Sequence, residues 1–114
     1  FLYELMANIY KNAKVDLTNN SETAVLTVPS DSRAVIKSIV VSEDSGNADS
    51  ITLTITDASS NVFSLFKTKA VSANATVELL SQPLVLQESE ILKATAATGN
   101  RLHIVVSMLE INRS

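Results

Sequence analysis

A chain of 114 residues is long enough for one domain with a hydrophobic core of its own. Its net charge of −3, with the basic residues scattered singly, argues against nucleic-acid binding, which needs clustered positive charge to displace counterions. With no cysteine and one histidine it lacks a disulfide framework, a thiol nucleophile and the usual zinc and copper ligands, and no apolar run approaches the ~20 residues of a membrane helix.

β-Branched and aliphatic residues come in short runs, and at this density they favour strands. In chain order, strands are predicted over Ile9–Leu17, Thr23–Val28, Ala34–Ser42, Ser50–Thr56 and Val62–Thr68, then over Thr76–Leu80, Leu84–Leu86, Ile91–Ala96 and Leu102–Ile111. Turn formers separate them, among them Asn19-Asn20-Ser21, Asp44-Ser45-Gly46-Asn47, Asp57-Ala58-Ser59-Ser60-Asn61 and Thr98-Gly99-Asn100. Many short strands at regular spacing predict an all-β, antiparallel sandwich or barrel of about 8–9 strands with very little helix. The organisation expected is an N-terminal arm or tail over residues 1–6 and one β-sandwich domain over residues 7–114.

The alternation is clearest at Ile51-Thr52-Leu53-Thr54-Ile55-Thr56, where Ile51, Leu53 and Ile55 face a core and three threonines face outward. Other strands are apolar on both faces. In the last strand Leu102, Ile104, Val106 and Met108 form one row, with Val105 and Leu109 on the opposite one. In the fifth, strict alternation puts Phe63 with Leu65 and leaves Phe66 with Val62. Hydrophobic residues make up 46% of the chain and charged ones 18%, below the ~25% of an ordinary domain, so such second faces are poorly defended against association.

Catalytic chemistry is sparse. His103 lies mid-strand, with no Gly-x-Ser-x-Gly elbow to supply a nucleophile. The acidic loop Glu43-Asp44-Ser45-Gly46-Asn47-Ala48-Asp49 fails the EF-hand spacing and reads as a hairpin connection. Two isolated glycines cannot form a phosphate-cradling loop. A sugar platform needs aromatics, and with no tryptophan and two of five aromatics in the first three residues, Tyr10, Phe63 and Phe66 must serve both core and platform. The expectation is a protein without catalytic residues, cofactor or metal.

From Tyr10 to Ile111 the chain resembles a family of small all-β structural proteins of tailed bacteriophages, many of them marine. The resemblance runs through Tyr10-Lys11-Asn12-Ala13-Lys14-Val15, Leu26-Thr27-Val28-Pro29, Val35-Ile36-Lys37-Ser38-Ile39-Val40-Val41-Ser42 and Phe63-Ser64-Leu65-Phe66-Lys67. It continues in Val77-Glu78-Leu79-Leu80 and Pro83-Leu84-Val85-Leu86 and closes on Leu102-His103-Ile104-Val105-Val106-Ser107 and Leu109-Glu110-Ile111. At Ser89-Glu90 the chain departs from the Gly-Asp frequent at that turn. The resemblance implies a jelly-roll or Ig-like sandwich located in a virion, as a capsid decoration, neck or tail-associated subunit. Its partners would be other virion proteins and copies of itself, with no nucleic acid and no membrane. A carbohydrate-binding or host-adhesion module is the alternative.

The subunit interface is expected to use Leu2, Tyr3, Phe66, Val105 and Leu109 as anchors, the first two from an arm laid on a neighbour. Met6-Ala7-Asn8 reads as a translation start, so residues 1–5 fit a processed or longer chain.

Overall fold

In the computed structural model, which describes residues 7–112, the nine β-rich runs become nine strands. They are β1 (Ala7–Leu17), β2 (Thr23–Thr27), β3 (Ser32–Glu43), β4 (Asp49–Thr56), β5 (Val62–Val71), β6 (Thr76–Glu78), β7 (Leu84–Leu86), β8 (Ile91–Ala96) and β9 (Leu102–Asn112). No helix occurs among the described residues. Strand boundaries fall where the turn formers stand. Asn19 Oδ1 accepts the Ser21 amide at 2.8 Å, and Asp57 Oδ1 accepts the amides of Ser59 and Asn61, both at 2.9 Å. Ser60 (φ 67°), Asn74 (φ 57°) and Asn100 (φ 65°) take the left-handed conformation that these turns require.

All pairings are antiparallel and form two sheets. One runs β1-β9-β3-β6, with β7 also on β3; the other runs β2-β8-β4-β5. Because β6 and β7 both pair with β3, they fill one interrupted strand position. Eight positions result, and apart from the β4–β5 hairpin the chain crosses from one sheet to the other at every step. That winding is a jelly roll, which settles the choice between jelly-roll and Ig-like sandwich.

The core lies between the sheets. Leu102, Ile104, Val106 and Met108 of β9 meet Ile51 and Leu53 of β4 and Leu92, Ala94 and Ala96 of β8, all at most 1% exposed. Two irregularities serve this core. On β3 a register shift between Ile36 and Ser38 lets Ala34 and Ile36, then Ile39 and Val41, all point inward although the alternation changes phase. On β2 a shift between Ala24 and Leu26 turns both Val25 and Leu26 into the core. Gly99 allows the loop before β9 to pack on the one after β1, since a Cβ there would stand 2.6 Å from the Thr18 carbonyl oxygen.

Candidate assembly interface

The outer face of the β1-β9-β3-β6/β7 sheet collects the apolar side chains that the core does not take. Register places Tyr10 of β1 beside Leu109 of β9, Leu109 beside Val35 of β3, and Val35 beside Val85 of β7. These four form one row across four strands. Tyr10 is 75% and Val85 54% exposed, while Leu109 and Val35 are half-buried. A second row pairs Val105, 37% exposed, with Val40 of β3, between Lys14 of β1 and Glu78 of β6. Asn12, Ser107 and Ser38 separate the two rows.

One edge of this face is polar and well ordered. Burial pushes the Glu78 carboxyl up, but the Ser38 hydroxyl and the Ile39 and Leu80 amides donate to it and bring it below the usual carboxylate range. At the far end, His103 stands between two aspartates, with Nδ1 3.4 Å from Asp16 and Nε2 3.2 Å from Asp44. Both ring nitrogens thus face carboxylates rather than a hydroxyl that they could activate. A shallow depression of about 260 Å³ beside the ring is lined by Lys14, Asp16, His103 and Val105.

The acidic loop between β3 and β4 is a structural staple. Glu43, 2% exposed, accepts the Ser45 hydroxyl, the Ser45 and Asn74 amides at 2.8 and 2.9 Å, and the Gly46 amide at 3.1 Å. Burial raises its pKa, but these donors outweigh burial and lower it to about 2. The Glu43 carboxylate is taken up by the chain's own amides and the Ser45 hydroxyl. At the opposite end of the core, Glu110 is 5% exposed and pairs with Lys11 Nζ at 3.2 Å.

Of the expected anchors, Val105 and Leu109 lie on this outer face, and Leu2 and Tyr3 lie outside the described residues. Phe66 is elsewhere. It is half-buried against the subunit's own core, opposite Leu53. Register shifts on either side of the Leu53–Phe66 pair break the alternation of β5, so Phe66 falls beside a core residue and Val62 and Phe63 are left 61% and 54% exposed. Tyr10, Val35 and Val85 carried no signal of their own in the sequence, because only the pairing of distant strands unites them. The outer face of the other sheet is different in kind, with Thr52 of β4 opposite Thr95 of β8 and Thr54 opposite Lys93.

No family model matches this chain, and no curated protein matches it. Solved structures do. A chain of Bacillus endospore appendages, described as disulfide-linked pili, superposes with a TM-score of 0.55 at 9% identity over 94% of this chain and 87% of that one. A chain from the acid-stable capsid structure of Helicobacter pylori bacteriophage KHP30 gives 0.52 at 11% identity, over 96% and 94%. A chain of infectious bursal disease virus, Gx strain, gives 0.50 at 7% identity, over 93% of this chain but 31% of that one. At such identities these likenesses show the fold alone, a β-sandwich shared with both pilus and capsid chains.

Proposed function

We propose that this chain is a non-enzymatic structural subunit of a tailed-bacteriophage virion, working by assembly with copies of itself and with other virion proteins. The observation that carries the reading is the exposed apolar row Tyr10–Leu109–Val35–Val85 on one outer face. A contiguous apolar strip on a sheet face is what a partner covers, and Tyr at its rim is a residue type that interfaces favour. The fold supports the reading, and so does the resemblance in the sequence to phage structural proteins. A sugar-binding role has less support: the exposed aromatics Tyr10 and Phe63 stand on strands of different sheets rather than side by side on one face.

Val85→Asp tests the reading, since Val85 is exposed and its loss leaves the core untouched. Burying a charge at this end of a covered apolar row costs more than about 1.4 kcal/mol, so self-association should weaken by at least roughly tenfold. Sedimentation velocity on wild type and variant reads this, with thermal melts to check that the fold is unchanged. A wild-type chain that stays monomeric at high concentration and binds glycans would replace assembly with the adhesion role.

A further inference from the structure

A sandwich of two open sheets has four edges, and three of them here are blunted against strand addition. The β6/β7 edge is two pieces of three residues each. The β2 edge is five residues long and broken by its register shift. The β5 edge is long, but its pairing shifts twice, Thr68 sits at φ 48°, and Lys67 and Lys69 stand along it, exposed. Bulges, short strands and lysines are the usual protections of an edge.

β1 has none of the backbone protections. Its eleven residues pair with β9 without a shift from Ala7↔Asn112 to Leu17↔Leu102, and it contains neither proline nor glycine. Among the described residues no strand pairs with its outer edge. Lys11 and Lys14 stand along it, but its backbone is straight and unshifted, and an edge of this length is a template for another strand.

We infer that β1 pairs with β1 of a second copy, antiparallel about a two-fold axis through Asn12, so that the sheet runs on from one subunit into the next. The register follows from side chains and overlap. Directly opposed residues point to the same side of a sheet, so an axis between two residues would join the core-facing row of one copy to the solvent-facing row of the other. An axis through Lys11 or Lys14 would set like charges against each other. Asn12 is the midpoint of Ala7–Leu17, so its axis alone overlaps all eleven residues. It sets Ile9 against Val15, Lys11 against Ala13, Tyr10 against Lys14 and Asn8 against Asp16. Ile9, 47% exposed, gains an apolar neighbour, the Tyr10 ring a cation, and Asp16 an amide donor. Lys11 keeps its own partner in Glu110. Apart from Tyr10, which belongs to both, this edge is distinct from the outer face proposed above, and either contact can fail without the other.

The chain has no cysteine, so introduced thiols report cleanly. Directly opposed Cα atoms of an antiparallel pair lie about 4.5–5.5 Å apart, within disulfide reach. Under mild oxidation Asn12→Cys should become a covalent dimer. Asn8→Cys alone should not, because its opposite position is 16, but a mixture of Asn8→Cys and Asp16→Cys should cross-link. Pre-association should make the Asn12→Cys and mixed reactions at least roughly tenfold faster than that of Asn8→Cys alone. Introducing Val85→Asp into the Asn12→Cys chain should leave the cross-link unchanged. Equal rates for Asn12→Cys and Asn8→Cys, or no dimer from Asn12→Cys, overturn the edge pairing. A silent mixture overturns the register.

Discussion

Glu43 illustrates how a charged side chain is kept inside a small β-protein. Four donors from the β3–β4 loop and from Asn74 after β5 converge on its carboxylate, so its ionised form holds two loops together at one end of the sandwich. Its folded pKa of about 2 lies below the ordinary 4.5, so the stabilisation it brings is fully present above pH 4.5 and is lost as pH falls toward 2. Glu78 adds to the same trend. So does Asp57, which the Asn61 amide and side chain and the Ser59 amide hold low against burial. Glu43→Gln should therefore melt below wild type at neutral pH, and the gap should narrow as the pH approaches 2. Thermal melts across that range check it, and a constant gap would mean that the carboxylate's charge is not what the loops need. The sequence announced this loop as a turn through Asp44-Ser45-Gly46-Asn47, but not the buried carboxylate, because Asn74 is distant along the chain.

β5 shows where alternation stops being a guide. A strict two-residue period assigns Phe63 and Phe66 to opposite faces, yet both come opposite core residues of β4, Ile55 and Leu53, because an extra residue lies between the two pairings. Phe66 is the deeper of the two and packs against the core, whereas Phe63 near the strand's start is mostly in solvent. Phe66→Ser should destabilise the isolated subunit by about 2 kcal/mol, roughly half of what a fully buried aromatic costs, and Phe63→Ser by well under 1 kcal/mol. Denaturant melts on the two variants decide this. If Phe66→Ser left stability intact and abolished association instead, Phe66 would belong to an interface after all. By contrast β4, with no proline, glycine or internal phase change, was legible residue by residue, and its inward Ile51, Leu53 and Ile55 are buried as its pattern requires.

At the scale of the molecule, the last strand completes the first sheet. β9 lies between β1 and β3, so β1 has no neighbour in its sheet, and β3 has only β6 and β7, until β9 is in place. It also contributes Leu102, Ile104, Val106 and Met108 to the core, each at most 1% exposed. At about 1.5–3 kcal/mol of burial apiece, those four are comparable to the whole stability of a domain, about 5–15 kcal/mol. A chain ending at Asn100 should show no cooperative unfolding transition by circular dichroism, and one that still melted sharply would mean that the other sheet folds alone.

The sequence by itself determined the strands, their turns and the all-β class, because these follow from local chemistry: β-branched runs, a two-residue period, and Asn, Asp and Gly where the chain must reverse. It also showed that β9 has two apolar rows. Only the tertiary structure decided which strands are neighbours, where β3 and β5 change phase, and which apolar residues share an outer face. Tyr10, Leu109, Val35 and Val85 are scattered over the chain and meet because β9 and β7 close on opposite sides of β3, with β1 beyond β9. The same holds for β1, whose regular pattern reads like any other strand. It becomes an open edge only because the chain's last strand takes one side of it and no described strand takes the other.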